Sequence, residues 1–464
     1  MCVVCIKQML VGIYCRKCYI CENRNTSRTK LMKATTLLVS AAALVLSVVS
    51  CDPFKKVNAD WVKDPANNYV VHLVGEVKGF DAVDATVEYP EISDLRFGQN
   101  IFKFITEKDH FEADVPLRRG ESYMLSVYKG RGIWATSPFF ADQDTVRIIF
   151  DDEAAVYHTR VLLAKEGANR EYQLLNDDIA ERFGAQMTEN ERLQDAVETP
   201  CTEEFLRLEE LSCDESLEEY IRDTIDLTRR QMIADSSAFV PEYKALLKVA
   251  DQIRREVLDY KMDYLQQRKP SIASLRIVYE SIQDASWLDY KYADWVQLYA
   301  RRYSNQFTDS KLHDAIRVVQ ERANVHEGMP FSDFSLPDKD GKEQKLSELI
   351  AGKYAILEFW ATWCSGCIKN RRNSVRPVFE KYKDRGLVVV EVAREYKTDQ
   401  EWRDFIAKEN VDWVELLAME ENHSVGAGYG MSQQTGGVFL IGPDGTVLKV
   451  DPTREEMEAV LAEI

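Results

Sequence analysis

The stretch "YAILEFWATWCSGCIKN", residues 354–370, constrains the fold more than any other part of the chain. From Tyr354 to Ala361 it is apolar except for one acid, Glu358, a pattern that suits a strand buried on both faces. Cys364 and Cys367 follow at once, and after them a run with helical character. A buried strand that passes through a short turn into a helix is a building unit of α/β sheets. The downstream sequence repeats the alternation: "GLVVVEVAR" as strand, "DQEWRDFIAKEN" as helix, "VELLAME" as strand, then "VFLIG", the turn "PDG", "TVLKV" and a last helix, "REEMEAVLAEI". Residues 328–464 are therefore expected to form an α/β domain with a mixed sheet.

The same turn gives the cysteines their chemistry. At the start of a helix, Cys364 meets unpaired N–H groups and the positive end of the helix dipole, which favour a thiolate. Cys364 is then the attacking sulfur in disulfide exchange. Cys367, one helical turn later, is placed to attack a mixed disulfide on Cys364, and Trp363 is expected to shield the pair. The plainer alternatives are two structural cysteines or half of a zinc site. Glu358, six residues before Cys364, is costly in an apolar strand unless it has a role or a partner.

Three segments carry a family resemblance: "GMPFSDFSLPDKDGKEQKLSEL", "FWATWCSGC" and "FLIGPDGTVL". Together they resemble the TlpA/ResA-like thiol–disulfide oxidoreductases of the thioredoxin superfamily, over residues 328–464. The resemblance implies a redox-active Cys364–Cys367 disulfide with no other cofactor, a protein thiol or disulfide client, and an upstream membrane reductant or oxidant. It also implies that Glu358 is the buried acid that moves protons for the second cysteine. The alternative is a carboxylate neutralised by Lys369 or Arg372. The sequence departs from the family in three places. Ser365 and Gly366 form the dipeptide that tunes redox potential, without the usual proline. Arg371 and Arg372 stand where an acid and a kinking proline are usual, adding positive charge near the pair. Thr435 and Gly436 replace the site of a cis-proline that faces the cysteines, so a trans Thr435–Gly436 bond is expected. That replacement bears on peptide docking and on the exclusion of metals from the two sulfurs, and leaves the dithiol chemistry in place.

The remainder of the chain is expected to be multidomain. Residues 51–152 show short strands of period two, as in "YVVHLVGEV" and "HFEADVPL", and read as an antiparallel, β-sandwich-like accessory domain or half-open barrel. Residues 153–326 lack glycine between Gly184 and Gly328, and Leu246, Val249, Ile253, Val257, Tyr260 and Tyr264 recur at helical spacing. Pro200, Pro241 and Pro270 separate successive helices. Cys201 and Cys213 are either a structural disulfide or two unpaired thiols.

"MKATTLLVSAAALVLSVVSC" ends in a segment that resembles the lipobox of bacterial lipoproteins. Its apolar run is too short to span a bilayer and fits a signal peptide, residues 32–50, with Cys51 as the lipidated residue. The implied location is the cell envelope, anchored by lipid and facing the periplasm. Residues 1–31 then read as an over-called start. Their CxxC pairs (Cys2, Cys5, Cys15, Cys18, Cys21) would be removed with the signal, a zinc site there being the alternative. A net charge of -18 argues against nucleic-acid binding. The six histidines show no ligand spacing, so no metal site is assigned. Two rival functions stay open. A peroxiredoxin-like peroxidase shares the "FSDFSLPDKDG" segment but would carry Thr where Ala361 stands, and a redox-inactive binding or scaffold lipoprotein would keep the fold without the chemistry.

Overall fold

A computed structural model of the protein describes residues 56–462 apart from 58–60, 79–83, 89–99, 106–108, 130–131, 152–158, 163–165, 215, 397, 410–411 and 432–435. Cys51, the signal segment and the cysteines of residues 1–31 lie outside the described residues, as does Thr435. The described chain divides into two compact units, one holding residues up to 202 with Ile233–Leu312, the other Glu203–Met232 with the residues from His313 onward.

In the second unit, a hairpin of β1 (Ser335–Pro337) and β2 (Glu343–Lys345) leads through the short α1 (Leu346–Leu349) to β3 (Ala355–Trp360). Then come α2 (Ser365–Asn370), a π-helical turn over Arg371–Val375, and α3 (Arg376–Tyr382). The domain closes with β4 (Val388–Arg394), α4 (Gln400–Glu409), β5 (Val414–Ala418), β6 (Gly437–Ile441), β7 (Val447–Val450) and α5 (Arg454–Leu461). The sheet order is β5-β4-β3-β6-β7, with β3, β4 and β5 parallel and β6 and β7 antiparallel to their neighbours.

β3 is the central strand, and every one of its residues is buried. Leu357 and Phe359 enter one core with Val390, Val392 and Phe439. Ile356 enters the opposite core with Val375, Val378 and Phe379, while Trp360 packs with Ala393 and Trp402. Side chains alternate across a strand, so Glu358 shares the face of Ile356 and Trp360, beneath the helix that begins at the cysteines. The π turn in that helix has a local cause. Pro377 has no N–H to donate, and its ring would crowd the carbonyl four residues back. The helix widens instead, and the Arg376 N–H reaches the Arg371 carbonyl five residues earlier.

The first unit contains two sheets around one core. Five strands pair antiparallel in the order Lys56–Val57, Asn100–Ile105, Asp84–Glu88, Ser122–Lys129, Gly132–Phe140. Four more run His110–Leu117, Tyr69–Lys78, Thr145–Asp151, Thr159–Leu162. Val87, Phe104, Leu125 and Phe139 from one sheet meet Leu73, Val115 and Ile148 from the other. The wholly antiparallel arrangement expected from the sequence is not found, because Tyr69–Lys78 and Thr145–Asp151 are parallel. Between them the chain passes through the other sheet, back through His110–Leu117 of this one, and through the other sheet again before it returns in the same direction.

Long helices follow, including Gly167–Asp195, Pro241–Gln266 and Ile272–Leu288. Pro241 occupies the first turn of its helix, and Ile253, Val257 and Tyr264 are buried. Val249, placed in the same stripe by its spacing, is 48% exposed. Neither Cys201 nor Cys213 is in a disulfide. Helix Glu203–Ser212 stands between them, and ten helical residues rise about 15 Å, beyond disulfide reach. Among the described residues, no helix is long and apolar enough to cross a membrane.

The parallel pair depends on Gly75. A Cβ there would lie 1.9 Å from the Ile148 carbonyl oxygen and 2.4 Å from the Phe111 ring. Gly75→Ala is expected to lower stability by ~1–3 kcal/mol, read from the urea midpoint. An unchanged midpoint would show that the two strands separate without cost.

Candidate active site

The turn after β3 is held from both ends. The Cys364 N–H donates to the Ala361 carbonyl at 3.0 Å, and the Thr362 N–H donates to Glu395 Oε1 at 2.7 Å. Cys364 is the N-cap of α2, with extended backbone, and its Sγ accepts the Cys367 N–H at 3.2 Å. The two sulfurs form a disulfide, with the Cα atoms 5.3 Å apart.

The two cysteines have different surroundings. Cys367 packs against the Trp360 and Trp402 cluster with Ile368 and Phe405. Gly436, just before β6, covers it closely: a Cβ at that position would lie 2.4 Å from Cys367 Sγ and 3.1 Å from the Phe359 carbonyl oxygen. Ser365 and Gly366, between the cysteines, are exposed. Trp363 is half-buried, its ring 5.9 Å from Tyr396, which in turn meets His423 edge-on at 4.8 Å. His423 Nε2 lies 3.1 Å from the Glu395 carbonyl, so this aromatic row is tied to the residue that fixes the Thr362 turn. Arg394 is buried at the end of β4 and donates to the Met431 carbonyl. Burial pushes its guanidinium down to about 10.

Glu358 is 1% exposed. It is directly opposite Glu391 in β4, and Glu391 is opposite Glu415 in β5. Three glutamates therefore form a row across three strands on the helix-covered face. Arg371 of the π turn lies over them. Its Nε is 3.0 Å from Glu391 Oε1, its Nη2 is 2.8 Å from Glu391 Oε2, and the same Nη2 donates to Glu415 Oε1. Trp360, Phe405 and Trp413 surround the guanidinium at 4.6, 5.2 and 5.4 Å. Burial first, then the negative charge of Glu391 and a hydrogen bond the protonated Glu358 donates to it, push Glu358 well above the usual carboxylate range. Arg371 and the Asn370 side chain oppose that rise. Glu415 is also pushed well above that range, by burial and then by Glu391.

One expectation is corrected here. Arg372 does not neutralise Glu358: it pairs with Glu409 at 2.7 Å, while Glu391, Arg371 and Asn370 act on Glu358. Arg371, one of the two positive charges added near the pair, is 2% exposed. Glu391 and Glu415 were not singled out by sequence reasoning. Their signal is the one that marked Glu358, a single acid within an apolar run, in "VVVEVAR" and "VELLA".

A half-buried disulfide at the first turn of a helix, behind the central strand of a mixed sheet and above a buried acid, defines a thiol–disulfide oxidoreductase of the thioredoxin type. Residues 328–450 match the AhpC/TSA family. The thiol-disulfide oxidoreductase ResA of Bacillus subtilis (strain 168) is 31% identical over 134 residues, 29% of this chain and 71% of that protein. The ResA of Bacillus anthracis is 26% identical over 147 residues, 31% of this chain and 82% of its own. The chain belongs to the TlpA/ResA-like thiol–disulfide oxidoreductases of the thioredoxin superfamily. A solved thiol-disulfide oxidoreductase from Bacteroides fragilis NCTC 9343 shares 20% identity, covering 29% of this chain and 98% of that one at a TM-score of 0.27.

Two predictions follow from the geometry. Gly436→Ala should destabilise the protein by ~1–3 kcal/mol, and by clearly less when Cys367→Ala has removed the sulfur it would strike. Equal losses in the two backgrounds, measured by denaturant titration, would exclude the contact as the cause. The second concerns pH. Glu358 has a folded-state pKa above its unfolded one, so its contribution to stability is fully present below the ordinary carboxylate range and is lost as pH rises toward the raised value. Within that window its share of the loss is ~1.4 kcal/mol per pH unit. Glu358→Gln should flatten the stability–pH slope by that amount; an unchanged slope would place the titration elsewhere.

Proposed function

We propose that this chain is a lipid-anchored thiol–disulfide oxidoreductase, facing the periplasm, that exchanges electrons with protein disulfides through Cys364 and Cys367. The observation that carries the reading is the asymmetric placement of the bonded pair: Cys364 caps a helix beside the exposed Ser365–Gly366, while Cys367 is covered by Gly436 and Trp360. In the reduced pair, the helix N–H groups favour a Cys364 thiolate. That thiolate attacks a client disulfide; one client sulfur leaves as a thiolate, and a mixed disulfide forms. Cys367 gives up its proton and attacks Cys364 Sγ, releasing the second client sulfur and closing the Cys364–Cys367 bond. In the reverse direction a client dithiol is oxidised, and Cys367 leaves as the thiolate that needs a proton. Glu358 is the proton partner of Cys367 in both directions.

The anchor assignment rests on "VVSC" ending at Cys51, and an upstream membrane reductant or oxidant would restore the pair. The first unit has a positioning or partner-binding role. No cofactor beyond the disulfide is required, and the net charge of -18 does not suit a nucleic-acid partner. The peroxidase alternative gains nothing at the site, where Ala361 stands in the place of the threonine such enzymes use.

The purified protein should catalyse reduction of insulin disulfides by dithiothreitol, and Cys364→Ser should abolish this. Cys367→Ser should accumulate a client as a mixed disulfide on Cys364 that reductant releases. A wild-type protein that neither reduces nor oxidises a protein disulfide would overturn the proposal.

A further inference from the structure

The mechanism above uses Glu358 alone, yet the structure places two further carboxyls and a guanidinium in the same buried row. Glu391 is 0% exposed, Glu415 6% and Arg371 2%. Full ionisation would leave three anions against one cation in a dry place, which burial strongly disfavours. The hydrogen bonds indicate how the charge is distributed. Arg371 grips Glu391 with two nitrogens, which fixes the anion there. Glu358 and Glu415 are the direct cross-strand neighbours of Glu391, one on each side, and buried carboxyls side by side cannot all ionise, so the outer two keep their protons. The row then carries two protons, one anion and one cation, and is neutral. Its two ends differ in access: Glu415 is on the edge strand β5, and Glu358 is on the central strand β3. Asn370, which bonds Glu358, is one helical turn beyond Cys367 on the same helix.

We propose that Glu391 and Glu415, pinned by Arg371, are positioning residues for the thiol–disulfide reaction: they hold the proton that Glu358 exchanges with Cys367 and resupply it from the β5 edge of the sheet. This rests on the reading of Cys364–Cys367 as the redox pair and of Glu358 as its proton partner. When an incoming thiolate attacks Cys364 Sγ, the Cys364–Cys367 bond breaks, its electron pair leaves on Cys367, and Glu358 protonates that sulfur. Glu358 is now an anion. Glu391 passes it a proton while taking one from Glu415, and Glu415 recovers a proton from solvent. Each carboxyl ends as it began. The two electrons come from the incoming dithiol, which leaves as a disulfide.

The charged groups around the row are few. The helix side supplies Arg371, with the Arg372 and Arg376 pairs to Glu409 further out. On the β6 side, Asp451 accepts the Val438 N–H at 2.9 Å, and Val438 is the residue opposite Glu358.

The test is the pH profile of the rate at which dithiothreitol reduces the disulfide of the full chain. Removing the anion with Glu391→Gln should lower the profile's inflection by about one pH unit or more, and Glu415→Gln should shift it in the same direction by less. Removing the cation with Arg371→Met should raise it. A purely structural role would slow or unfold all three variants without moving the inflection in opposite senses. Inflections unchanged in folded variants, or shifts of one sign for Glu391→Gln and Arg371→Met, would overturn the proposal. If Arg371→Met does not fold, the two glutamine variants decide the matter by the size and order of their shifts. Glu358→Gln should abolish the inflection. If it persists there, or if the wild-type disulfide is not reducible, the underlying reading fails instead.

Discussion

One guanidinium against three carboxyls is the interaction on which the redox domain depends. Breaking a buried ion pair by removing one member costs ~3–5 kcal/mol, because the remaining charge is left without compensation. Arg371 spans β4 and β5 through Glu391 and Glu415, and the aromatic rings around it come from β3, α4 and the segment before β5. It thereby joins the helix that carries the cysteines to three strands at once. Arginine suits the position better than lysine, since a planar fork reaches two carboxylates while its faces rest on rings. The π turn makes this reach available, and Pro377 is the reason the turn exists. A backbone constraint at one residue thus sets the electrostatics beneath the active site.

The parallel register explains why the acids cooperate. In parallel strands, paired residues stand on the same face, so one glutamate per strand at matching positions produces a continuous row. A register shift of one residue would send an acid to the opposite face, among Val390, Val392 and Leu416. The row therefore also specifies register, and β3–β5 can pair in few other ways without burying an isolated charge.

The sequence carried the redox domain well and the relations between its residues poorly. The apolar strand, the CxxC turn, the helix and the closing hairpin are local patterns, each readable within a dozen residues or so. Glu358 was visible because it interrupts such a pattern. Glu391 and Glu415 interrupt theirs in the same way, but their meaning depends on register between strands, which spacing along the chain does not contain. The burial of Arg371 was not legible, because a charge on a helix is ordinarily solvated and the π turn that carries it inward is not a local pattern of the sequence. In the first unit, period-two alternation revealed strands and cores while leaving direction open, so the parallel pair of Tyr69–Lys78 and Thr145–Asp151 was not foreseen.

Gly436 links the departure from the family pattern to the chemistry. Wherever a chain segment lies against a sulfur at van der Waals distance, the residue there must lack a Cβ or point it elsewhere. Here the direction a Cβ would take runs into Cys367 Sγ, so glycine is what permits the close approach. On that side the cover over Cys367 is made by the backbone of Gly436. Cys364 is half-buried like Cys367, but it stands beside the exposed Ser365 and Gly366. Under the mechanism we propose, exchange begins at Cys364, and the proton it demands is needed at Cys367, on the helix that lies over the row of carboxyls.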